Sequence, residues 1–112
     1  MPKAVRINKA GQVVALDNPV KVSRKEKDDV LWVALEGGGP WTITFDKIND
    51  GGPSKYPIKA GSPFGQSTYT TGNGGSGGST GGPVGDERYT YRYNVRDANG
   101  RVTDDPDVDV DP

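Results

Sequence analysis

Five aspartates, Asp104, Asp105, Asp107, Asp109 and Asp111, fall within the last nine residues and form the densest set of hard oxygen donors in the chain. Calcium takes roughly six to eight oxygens of this kind. The spacing works against one ion, because Asp105, Asp107, Asp109 and Asp111 recur every second residue. On a strand they project side by side from one face instead of encircling a centre. The calcium loop of an EF-hand needs a glycine turn and a closing glutamate, and neither follows here. These four residues are therefore weak calcium candidates, and a calcium-binding adhesion-type domain is a secondary expectation. Paired carboxylates also hydrolyse glycosides, but only where the surroundings separate their pKa values. No apolar cluster stands beside this pair set.

The residue types that are missing exclude more. The 112 residues include no histidine and no cysteine. Their absence removes the commonest general base, thiolate nucleophiles, disulfide staples and the usual transition-metal ligands. Residues 72–82, GNGGSGGSTGG, lack the lysine and following helix that a phosphate-binding loop requires. They contain no large apolar side chain, and read as a flexible surface loop of natural or engineered origin. Tyr89, Tyr91 and Tyr93 with Arg88 and Arg92 have the composition of a base-stacking platform. Strand alternation puts the rings on one face and Arg88, Thr90, Arg92 and Asn94 on the other, which assigns the rings to a core. With a sequence pI near 5.3, a nucleic-acid partner is not expected. No enzyme, cofactor or resident metal is expected.

Period-two alternation runs through the chain and β-branched and aromatic residues supply it. Val5 and Ile7, Val13 and Val14, and Val20 and Val22 mark short strands closed by turn-forming groups. Residues 29–35, DVLWVAL, are apolar on both faces, as a central strand would be. Trp41, Ile43 and Phe45 alternate with Thr42 and Thr44 in a half-buried strand. Residues 46–66 carry glycine and proline at intervals and predict an irregular connection with Phe64 pinned to the core. Asp97-Ala98-Asn99-Gly100 predicts a hairpin turn, and Val108 and Val110 a last strand whose aspartates and prolines protect an exposed edge. The expected core is Val30, Trp32, Trp41, Ile43, Phe45, Tyr91, Tyr93 and Val95. The fold class is all-β: a single Greek-key sandwich of seven to nine short strands over residues 1–112.

The segment DDVLWVALEGGGPWTITFD, residues 28–46, resembles the plastocyanin-like cupredoxins: an Asp-led strand with an aromatic, a glycine turn, then Pro-His and an alternating strand ending Phe-Asp. Pro40 is followed here by Trp41 where the family has histidine. The segment YTYRYNVRDANGRVTDDPDVDV is similar to the family's Tyr-x-Tyr strand and Cys–His–Met loop. Asn94 or Val95 stands at the cysteine position, and the hairpin beyond holds neither His nor Met. The resemblance implies a cupredoxin-like sandwich with a degenerate copper site at Trp41, Asn94 and Val95. Blue copper needs two imidazoles and a thiolate, so what it implies is the fold without the metal.

Residues 1–27 carry seven cations against two anions, a net of +5, and residues 97–112 a net of −5, although the whole chain is at −1. Such asymmetry neutralises itself if the terminal strands are neighbours, or guides head-to-tail contact between molecules. The first twelve residues hold no apolar signal-peptide core, and no segment approaches the ~20 apolar residues of a membrane helix. A cytoplasmic or virion-associated location is the default expectation, the compartment being otherwise unknown. The functional expectation is a non-catalytic, metal-free binding or structural module presenting loops 47–66 and 72–82, with another protein or its own copies as partner. The alternative is a repeating subunit, such as a virion decoration protein or filament component.

Overall fold

Val5 and Ile7 are buried along the first strand, β1 (Pro2–Ile7), while Ala4 and Arg6 between them are not, so over Ala4–Ile7 the alternation read in the sequence is the alternation of burial. The computed structural model describes residues 2–45, 53–72, 80–83 and 88–112. Among them, nine strands in three sheets form an all-β sandwich around one core. After β1 come a single 3-10 turn at Ala15–Asp17, β2 (Val20–Ser23), β3 (Asp29–Ala34), β4 (Thr42–Thr44) and β5 (Thr68–Thr70). β6 (Tyr89–Arg92), β7 (Asn94–Arg96), β8 (Val102–Asp104) and β9 (Asp107–Asp111) complete the order.

β1 runs parallel to β3, with Val5 opposite Trp32. The second sheet has the order β2-β9-β6, in which β2 is parallel and β6 antiparallel to β9. The third, β5-β4-β7-β8, is antiparallel throughout. Parallel neighbours cannot be joined by a tight turn and need a long crossover. Here β2 fills that requirement for β1 and β3, and nearly the whole chain separates β2 from β9.

Three sequence expectations change. β3 was read as a central strand, but it belongs to a two-stranded sheet, and Leu31 and Val33 on its outer face are only half-buried. Its second edge is covered locally: Val30 N donates to Thr80 Oγ1 at 2.9 Å, and Thr80 N donates to Val30 O at 3.0 Å. The last strand was read as an exposed edge, yet β9 lies between β2 and β6, and Asp109 is only 1% exposed. The tyrosine segment reads as one long strand with its rings on one face and Arg88, Thr90, Arg92 and Asn94 on the other. It is instead two strands in different sheets, hinged at Tyr93, whose N–H donates to Pro106 O. Thr90, Arg92 and Asn94 are buried along with Tyr91, Tyr93 and Val95.

The physical reason is a cover that alternation could not reveal. Residues 53–59 lie along the outer side of β6: Thr90 N donates to Pro57 O, Lys59 N to Thr90 O, and Tyr56 N to Thr90 Oγ1. Arg92 Nη2 donates to Pro53 O at 2.9 Å. The rest of the predicted connection places Phe64 in the core, edge-on to Phe45 at 6.2 Å and to Tyr69 at 6.5 Å.

The centre of the core is aromatic. Trp32 meets Phe45, Tyr69 and Tyr93 at ring-centroid distances of 6.2, 5.4 and 5.5 Å. Its indole N–H donates to Tyr93 Oη at 3.2 Å, so the one polar atom of the buried indole is satisfied. Burial holds the Tyr93 phenol protonated, far above the ordinary tyrosine range. Around it, Val30, Ile43, Val95, Val108 and Val110 are fully enclosed. Among the described residues no helix is long and apolar enough to cross a membrane.

Candidate functional site

Trp41 sits at the entrance to β4, where the resemblance puts a metal-binding imidazole, and it is 7% exposed. Its backbone is fixed on β5's continuation: Trp41 N donates to Thr71 Oγ1 and Thr71 N donates to Trp41 O. Three glycines let other chain segments close over the ring. A methyl group on Gly11 would stand 2.9 Å from Trp41 Cζ3 and 2.4 Å from Thr103 Oγ1, and one on Gly39 would stand 3.3 Å from Trp41 Cδ1. Gly38 approaches Trp41 Cζ2, at 3.6 Å by the same measure. The Gly11 loop is held down by Thr103 Oγ1, which donates to Gly11 O at 2.7 Å, and by Val13 N donating to Asp104 Oδ2 at 2.8 Å. The space beside Trp41 is thus filled by its own ring and by backbone. Trp41 Nε1 is buried with no acceptor among the described residues.

β4 and β7 are direct neighbours, so the two segments that carry the family resemblance meet in space. Their register pairs Thr42 with Arg96, Ile43 with Val95 and Thr44 with Asn94. Trp41 lies one step beyond the Thr42–Arg96 pair, while Val95 and Asn94 lie further along the strand, buried. The three positions that the resemblance singles out thus lie on or next to two neighbouring strands without sharing a cross-strand pair.

The aspartates of the C-terminal strand are placed on the face covered by residues 53–59, and each of the inward-held ones has its own partner. Asp107 Oδ1 accepts from Arg92 Nε at 3.2 Å, and Arg92 is itself 6% exposed. Asp109 Oδ1 accepts from Thr90 Oγ1 at 2.6 Å, while its Oδ2 is buried with no partner among the described residues. Asp111 Oδ1 accepts from Tyr56 Oη at 2.7 Å and from Arg88 Nε at 3.1 Å. Asp105 is exposed. Burial raises the Asp107 carboxyl above its ordinary value, and Arg92 offsets only part of that rise. The four calcium candidates thus do not converge: among the described residues no three His, Cys, Asp or Glu are grouped to hold a metal ion.

Besides Arg88–Asp111 and Arg92–Asp107, a further ion pair escaped the sequence reading. Arg6 on β1 clamps Asp17 in the 3-10 turn, with Nε to Oδ2 at 2.8 Å and Nη2 to Oδ1 at 3.1 Å, while Arg6 N also donates to Oδ2. The guanidinium lowers the Asp17 pKa below its ordinary value. Nothing in a spacing of eleven residues across a turn advertises such a pair. Tyr56 was missed for a similar reason, as it lies in a glycine- and proline-rich connection yet packs under Arg88 and beside Lys55. Of the loops expected to present contacts, residues 47–52 and 73–79 lie outside the described residues. No protein-family model, curated protein or solved structure matches this chain.

Proposed function

We propose that the chain is a non-catalytic, metal-free binding or structural module built on a cupredoxin-like Greek-key sandwich. The observation that carries the reading is the packing of Trp41: where the resemblance calls for a ligand and a cavity, an indole is enclosed by Gly11, Gly38, Gly39 and Thr103. The adjacency of β4 and β7 supports the cupredoxin-like part, since one ion can be shared by the two motif segments only if their strands are neighbours. In this reading the site has become core and the sandwich serves as a rigid support.

A repeating subunit is the second reading, and the opposed charge of the chain's two ends motivated it. The pairing of β2 with β9 favours the first, because it sets the basic and acidic segments side by side within one molecule. Sedimentation equilibrium over a wide concentration range, with and without calcium, separates the classes. A monomer that ignores calcium is the expected result. Reversible or filamentous assembly would make the protein a building block, and assembly only with calcium would favour the adhesion reading.

A further inference from the structure

We propose that the groove between β1 and the Ala15–Lys21 segment binds one extended, acidic segment of a partner protein by strand addition at Ala4. The proposal rests on the reading of the chain as a binding module and names a surface for it. The groove measures about 480 Å³ and is lined by Lys3, Ala4, Leu16, Asp17, Pro19 and Lys21 among others. That volume lies within the roughly 300–1,000 Å³ range of ligand-sized sites.

Three independent features of this groove fit one occupant. The first is an open strand edge. Arg6 N donates to Asp17 and Arg6 O accepts from Val14 N, so both backbone groups of Arg6 face away from β3. Strand alternation turns the N–H and C=O of Ala4 the same way. Ala4 is exposed, and its backbone pair has no partner among the described residues. Unpaired edge groups of this kind are the template for an added strand.

The second feature is apolar. Leu16 is 88% exposed, the most exposed large hydrophobic side chain described, and Pro19 lies beside it in the same groove. The turn that carries Leu16 is held by the Arg6–Asp17 clamp, so the side chain is presented from a fixed support. The third is charge. Lys3 and Lys21 are exposed on the groove walls and form no ion pair among the described residues, whereas Asp17 is already neutralised by Arg6. Two free ammonium groups around an apolar knob complement alternating carboxylate and aliphatic side chains. An extended segment delivers that alternation on two faces while its backbone pairs with Ala4.

The test is ¹H–¹⁵N NMR of the whole chain titrated with the peptides Glu-Leu-Glu-Leu-Glu and Lys-Leu-Lys-Leu-Lys, both blocked at their ends. The acidic peptide should shift Ala4, Leu16 and Lys21 saturably, with a dissociation constant of about 0.1–1 mM, and should slow exchange of the Ala4 amide. The basic peptide should leave these signals unchanged. Leu16→Ala and Lys3→Glu touch only exposed side chains, and neither residue lies in the β2–β9 register. Each should weaken binding about tenfold while the spectrum away from the groove stays as it was. Absence of shifts at Ala4, equal response to both peptides, or indifference to the variants would overturn the proposal. Shifts confined to residues 53–66 would overturn the groove while leaving the binding-module reading intact. Groove signals that move with protein concentration alone would give the groove to a second copy and likewise overturn the acidic-partner assignment.

Discussion

Gly11 is the residue on which the Trp41 end of the sandwich depends, because it combines a φ of +83° with a position where a methyl group meets Thr103 and the indole. Gly11→Ala should therefore cost about 1–3 kcal/mol from backbone strain, and urea unfolding followed by tryptophan fluorescence would measure it. A cost near zero would mean that the ring is not enclosed as described, and the main support for a filled site would go with it. Asp17 gives a second residue-scale prediction through pH. Its folded pKa lies below the unfolded value near 3.8, so the stability it adds is present above that value and lost as pH falls through the folded one. Asp17→Asn should lower the melting temperature by a few degrees at neutral pH, and the gap from the parent should close as pH falls through the lowered folded pKa of Asp17. Asp107, raised by burial, acts with the opposite sign: its contribution is present at low pH and lost as pH rises through its folded pKa. The Asn variant isolates the Asp17 component because Asp107 is unchanged in both proteins.

At the scale of elements, the sequence showed which residues alternate but not which faces would be covered. Ile43 and Val95 are readable as core because bulky groups alternate with polar ones around them, and Trp32 because its segment is apolar on both faces. Thr90 and Arg92 were not, because their cover comes from residues 53–59, a segment rich in turn-formers whose course no periodicity records. The aspartates of β9 were misread for the same reason: the pattern is that of an edge, and only the parallel pairing with β2 makes the strand internal. The buried Thr90–Asp109 hydrogen bond tests this arrangement. Thr90→Val should cost about 1–3 kcal/mol, since it leaves a buried carboxyl group with neither oxygen bonded among the described residues. Replacing both residues, as in Thr90→Val/Asp109→Val, should recover the part of that loss due to the carboxyl, because removing both partners of a buried polar pair is often nearly neutral, while the Tyr56 N–H that Thr90 Oγ1 accepts stays unpaired. A double-mutant cycle in urea measures the coupling. An additive pair would place Asp109 in solvent and return β9 to the edge assignment.

At the scale of the whole molecule, topology brings the oppositely charged first and last segments of the sequence side by side. The basic first quarter supplies β1 and β2, the acidic end supplies β9, and β2 lies against β9 with Lys21 opposite Asp109. Arg88, just before β6, and Arg92 at its end meet Asp111 and Asp107 from the other side. This is why composition alone left head-to-tail assembly open: a net +5 and a net −5 attract whether they belong to one molecule or two. The two cases respond differently to salt. Raising ionic strength shortens the Debye length to roughly 3 Å at 1 M and weakens partly exposed charge pairs. If the pairing is internal, the melting temperature should fall by a few degrees in high salt and be the same at every protein concentration. If it lies between molecules, the melting temperature should rise with protein concentration at low salt, since association stabilises by mass action, and that dependence should vanish when salt is added. Differential scanning calorimetry over a hundredfold concentration range would distinguish them, and a concentration-dependent transition would give the acidic and basic segments to an interface between copies.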